Sequence, residues 1–86
     1  MRKAIIEFLH PEGLHARPAA ELVKVAGQFD CQIFLAYQNR RVNAKSIMGV
    51  LSLAIHPGAS IELEADGSDE DRALRELTSL LGGDFK

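Results

Sequence analysis

The run Gly13-Leu14-His15-Ala16-Arg17-Pro18 brings an imidazole, a guanidinium and a proline together within four residues. Ala19, Leu22, Val23 and Ala26 follow at helical spacing, so a helix is expected over residues 16–27, with His15 at or next to its N-cap. Pro18 fits only because it lies in the first turn, where a missing N–H leaves no bond unmade. A helix N-terminus offers unpaired amides and a partial positive charge, which attract an anion and disfavour a proton on a neighbouring imidazole. A neutral imidazole is a nucleophile. A phosphoryl group on His15 would meet the backbone amides of Ala16 and Arg17 as donors, and the Arg17 guanidinium as a charge-assisted partner. A lone histidine is ordinarily a surface residue, but His is a poor N-cap beside Ser, Thr, Asp or Asn. Its use here, between Gly13 and Arg17, costs local stability without a structural return, which favours the chemical role.

A second run, Lys45-Ser46-Ile47-Met48-Gly49-Val50-Leu51-Ser52-Leu53, reads as a short helix over 47–53 capped by Ser46. Ile47, Met48 and Leu51 lie on one side of it, Val50 and Leu53 on another. One side is then free for the core and the other for partners, where a flexible Met suits several surfaces. Arg17, Lys24, Arg40, Arg41 and Lys45 could ring that docking side with positive charge. His10, His15 and His56 lack metal-ligand spacing, and the acids after Ser68 read as helix-start charges, so neither metal nor cofactor is expected.

The elements that must position these residues follow from periodicity. Residues 3–9 form a Val/Ile-type strand ended by Pro11-Glu12-Gly13, with Ile6 and Phe8 on one face. Residues 31–37 and 40–43 form a hairpin about Gln38-Asn39. Pro57-Gly58 stops the second helix. Residues 60–66 alternate, with Ile61, Leu63 and Ala65 inward and Glu62, Glu64 and Asp66 outward. Ser68-Asp69-Glu70-Asp71 resembles a capping box ahead of a last helix striped by Leu74, Leu77, Leu80 and Leu81 and ending at Gly82-Gly83. The order βαββαβα, with strands that show one polar face, implies an α+β fold with helices on one side of an antiparallel sheet.

At 86 residues and 47% hydrophobic content, one domain over residues 1–86 is expected. The single Cys31 excludes an internal disulfide, and Glu7 interrupts the first apolar stretch too soon for a signal peptide or membrane span, so a cytoplasmic protein is expected. Residues 1–45 hold seven Lys/Arg against four Asp/Glu, and residues 46–86 hold three against eight. That imbalance argues against general nucleic-acid binding and leaves an acidic protein partner for the first half.

Both runs resemble the signatures of the HPr family, the histidine-containing phosphocarriers of the bacterial sugar phosphotransferase system, and the resemblance covers essentially the whole chain. It implies an open-faced β-sandwich, a four-stranded antiparallel sheet covered on one face by three helices. It implies a relay in which enzyme I phosphorylates His15 on Nδ1 and sugar-specific IIA domains take the group on, the protein being a substrate rather than a catalyst. Leu14, Ile47, Met48 and Leu51 are then the expected partner contacts. In many Gram-positive members the serine matching Ser46 is phosphorylated by a dedicated kinase, HPr kinase/phosphorylase, and that form binds a catabolite-control transcription regulator. A monomer is expected. The alternatives are a regulatory paralogue acting mainly as a serine-phosphorylated corepressor, and a nitrogen-related phosphorelay. A small acylphosphatase-like enzyme fits the size, but its Gly-rich phosphate loop is missing from the sequence.

Overall fold

In the computed structural model, which describes residues 1–9, 13–14 and 16–82, the elements run β1 (Arg2–Glu7), α1 (Ala16–Ala26), β2 (Gln32–Tyr37), β3 (Arg40–Asn43), α2 (Ile47–Ser52), β4 (Ser60–Asp66) and α3 (Glu70–Leu81). The strands make one sheet in the order β1-β4-β2-β3, every pair antiparallel. The alternation in β4 decides which face is covered. Leu63 stands opposite Ala4 on one side and Leu35 on the other, and Ala65 stands opposite Ile33, so a continuous apolar face forms across three strands. Leu22 and Ala26 of α1 and Ala73, Leu77 and Leu81 of α3 are fully buried in the cluster that includes that face. Each fully buried Leu contributes about 1.5–3 kcal/mol relative to exposure.

The hairpin between β2 and β3 closes through Gln38 (φ 49°) and Asn39 (φ 66°), the two positive values of a type I′ turn, whose twist matches the strands it joins. β1 ends at Glu7, two residues earlier than expected. Phe8 leaves the ladder to pair with a turn instead, its amide donating to Ala59 O (2.9 Å) while Gly58 N donates to Phe8 O (2.6 Å). That turn, His56-Pro57-Gly58-Ala59, is type II, with Gly58 at φ 83° and Ala59 N bonded to His56 O (3.1 Å).

One expectation is corrected beside the sheet, and another holds with an unexpected burial. The capping box before α3 does not form, because Asp69 makes no side-chain cap bond. Its carboxylate accepts instead from the amides of Asp30 and Cys31, both at 2.9 Å, and Glu70 accepts from Gly67 N at 3.1 Å. Two preformed amides at the entry to β2 outcompete the helix's own, and they hold the Asp69 carboxyl below its ordinary range. The approach is close: a Cβ on Gly67 (φ 155°) would lie 2.6 Å from Cys31 Cβ and 2.7 Å from Cys31 Cα. Burial, with the Asp69 carboxylate adding to it, pushes the Cys31 thiol up to about 11. The expectation that holds is the outward direction of Glu64. It lies on the outer face as its parity requires, yet it is only 6% exposed. Arg41 Nη2 donates to it at 2.7 Å, Lys3 Nζ lies 3.7 Å away, and the Arg41 guanidinium stacks 3.7 Å over Phe34. Long cations from β1 and β3 roof the carboxylate and satisfy it.

Candidate functional site at the starts of α1 and α2

His15, and with it the expected phosphate acceptor, lies outside the described residues, as does His10. What flanks His15 is described. Gly13 has φ 77°, a left-handed conformation open to glycine at no steric cost, and it turns the chain inward. Leu14 is therefore fully buried, and its amide donates to Ile55 O at 2.9 Å. This corrects the expectation, drawn from the resemblance, that Leu14 contacts partners: its side chain lies in the core.

Ala16 and Arg17 open α1, as expected. Arg17 is exposed. The first turn of α1 contains no acid, so its unpaired amides and partial positive charge have no intrahelical counterion, and Arg17 adds a further cation. Such a first turn is locally unfavourable unless an anion occupies it. The last turn, by contrast, carries Lys24, where a cation complements the helix.

α2 is built by a chain of local bonds. Asn43 Oδ1 accepts from Lys45 N (2.8 Å), Ser46 N donates to Asn43 O (3.0 Å), and Ser46 Oγ accepts from Gly49 N (3.3 Å) as the N-cap. Ser46 remains exposed. Val50 is fully buried and Leu53 nearly so, whereas Ile47, Met48 and Leu51 are exposed, Met48 by 75%. The two sides of the helix thus divide as the spacing predicts, and α1 packs against α2. The expected ring of cations is only partly assembled. Arg41 belongs to the outer face of the sheet with Phe34 and Glu64, because its register partner is Ala36. Lys45 Nζ turns inward to donate to Phe29 O, 2.7 Å away. Arg40 faces the helices and binds the end of α2, Nη1 donating to Ser52 O (2.6 Å) and Nη2 to Ser52 Oγ (3.0 Å). Sequence reading missed that contact. Its only signal was that α2 has no basic residue in its own last turn.

Among the described residues no group of three or more His, Cys, Asp and Glu is placed to hold a metal ion, and no helix is long and apolar enough to cross a membrane.

A family model described as "PTS HPr component phosphorylation site" matches residues 3–82. The chain is similar to the phosphocarrier protein HPr of Neisseria meningitidis, 45% identical over 85 residues that span 99% of this chain and 96% of that one. It superposes on the crystal structure of HPr-C-His from Thermoanaerobacter tengcongensis with a TM-score of 0.91 at 44% identity, covering 94% of this chain and 91% of the other. It also resembles an HPr dimer from the same organism, with a TM-score of 0.79 at 43% identity over 100% of this chain and 99% of that one.

Proposed function

The chain belongs to the HPr family of phosphocarrier proteins of the bacterial phosphotransferase system, and from that premise we propose that His15 takes a phosphoryl group from phosphorylated enzyme I and passes it to IIA domains of sugar permeases. The bond from phosphorus to the donor breaks as the bond to Nδ1 of His15 forms, and the reverse occurs at the acceptor, so the protein ends each cycle unchanged. The observation that carries the reading is the acid-free first turn of α1, with exposed Arg17 two residues after His15. Amides of Ala16 and Arg17 would donate to the phosphoryl oxygens and the guanidinium would neutralise their charge. The apolar side of α2, Ile47, Met48 and Leu51, supplies the docking contact in this reading. The carrier is cytoplasmic, works as the single domain spanning residues 1–86, and acts as a monomer; sedimentation at working concentration tests the last point against the dimer seen for the relative.

Ser46 is a regulatory site in the same reading, modified by HPr kinase/phosphorylase and then bound by a catabolite-control transcription regulator. It is exposed and caps a helix, where a phosphate is electrostatically favoured.

The test of the carrier reading is incubation with enzyme I and labelled phosphoenolpyruvate. An acid-labile, alkali-stable phosphate should map to His15 and disappear in His15→Ala, whose fold should be unchanged. A phosphate retained in His15→Ala would place the acceptor at another residue.

A further inference from the structure

α2 has only six residues, and the cation that completes its C-terminus comes from a different element. Arg40, the first residue of β3, reaches it as a fork, Nη1 to the carbonyl of Ser52 and Nη2 to its hydroxyl. The same hydroxyl donates to Gly49 O at 2.6 Å, so Ser52 is held from both sides. Immediately beyond, Leu53 N and Ala54 N bond back to Val50 O and Leu51 O, each at 3.2 Å, and Ala54 takes φ 50°. A left-handed alanine is held in place by its surroundings rather than by its own preference. It sends the chain into Ile55, which is fully buried and whose carbonyl receives the amide of Leu14. Leu14 is bonded directly to His15 in the sequence. Two sets of hydrogen bonds, Arg40 to Ser52 and Leu14 to Ile55, are therefore joined by the short backbone segment 52–55, which links the β2–β3 hairpin across the end of α2 to the residue before His15.

We propose that Arg40 is a positioning residue for phosphoryl transfer: its fork on Ser52 fixes the Leu53-Ala54-Ile55 exit from α2, and through the Leu14–Ile55 hydrogen bond it fixes the backbone that presents His15. The proposal rests on the reading of His15 as acceptor. Arg40 touches neither donor nor phosphate in this role. Its removal should lower the rate of transfer within the complex rather than the affinity of the complex, because misplacement of a nucleophile penalises the transition state.

The experiment compares Arg40→Met, which keeps the aliphatic stem, with Arg40→Lys, which keeps one cationic donor, and with Ser52→Ala, which removes the hydroxyl arm alone. Acceptance of phosphate from enzyme I should fall about five- to tenfold in kcat for Arg40→Met, with KM within about twofold of the parent, and Arg40→Lys and Ser52→Ala should be intermediate. Native-state exchange of the Leu14 amide should accelerate about tenfold in Arg40→Met, since opening of its bond to Ile55 becomes easier. A raised KM with unchanged kcat would overturn the proposal by making Arg40 a direct partner contact. Unchanged Leu14 exchange would also overturn it, and so would parent rates in all three variants. If Arg40→Met does not fold, the other two variants carry the same readouts. His15→Ala runs alongside: phosphate acceptance there would overturn the acceptor reading, whereas its loss together with a parent-like Arg40→Met overturns the Arg40 role alone.

Discussion

Helices α1 and α3 pack against each other, yet their first turns are built with opposite charge. α3 opens with Glu70 and Asp71, which complement the positive end of the helix, and these acids are further engaged by the Met1 ammonium and by Arg2. α1 opens with no acid and with exposed Arg17. The first arrangement is complete within the chain. The second has no acid in its first turn to offset the positive end of the helix, a charge that an external anion would balance. On the proposed reading, the helix start left without an acid, beside a neighbour that has two, is where stability is exchanged for binding.

The sharpest way to break this contrast is Arg17→Glu, which gives α1 the acid that α3 already has. Phosphate acceptance should fall about 100-fold, the charge-assisted contact being replaced by repulsion. Stability in urea should be unchanged or higher by about 0.5 kcal/mol. A parallel loss of stability would mean that Arg17 serves the fold and that the contrast is accidental. Ser46→Asp tests the same logic at α2. The cap position tolerates Asp, so the amide spectrum of α2 should persist, while a negative charge next to Ile47 and Met48 should weaken enzyme I binding about five- to tenfold, less so in high salt.

The α3 side is probed through Asp69. Its carboxyl is held below the ordinary value chiefly by the Asp30 amide, so its stabilising contribution is present above about pH 4 and is lost as pH falls through the lower folded value. Asp69→Asn should therefore be less stable than the parent at pH 7 and approach it in acid, with phosphate acceptance at 25 °C unaltered. Equal denaturation midpoints at neutral pH would show that the two amides do not need the charge. The smallest effect is expected for Ala54→Gly. Relief of the left-handed strain exceeds the added freedom of the unfolded chain, for a gain of about 0.5 kcal/mol in urea denaturation.

How far the molecule was legible from its sequence depended on the range of the interaction. Alternation in 60–66 located the core face, Gln38-Asn39 located the turn, and Ser46 with Val50 and Leu53 located the cap and inner side of α2, because each signal is contained in a few neighbouring residues. The expected capping box failed for the opposite reason. Asp69 finds its partners 38 and 39 residues away, and nothing local marks those amides as available. The burial of Glu64 beneath an exposed Arg41 likewise depends on a register between β2, β3 and β4 that composition does not encode. The burial of Leu14 was not legible because the direction of a turn depends on the φ of Gly13, and a glycine permits both signs. The place of Arg17 in the first turn of α1 was legible because a helix start is a local signal.

The tight seat of Gly67 against Cys31 has a consequence for how this sequence can drift. Any side chain at position 67 would collide with the backbone of residue 31 and not merely with its thiol, since Cys31 Cα itself lies 2.7 Å from the point a Cβ would occupy. Shrinking residue 31 therefore cannot open the way for a larger residue 67. The two positions cannot trade volume as ordinary core neighbours do, and a lineage that lost this glycine would have to rebuild the approach of β4 to the entry of β2 before it recovered the fold.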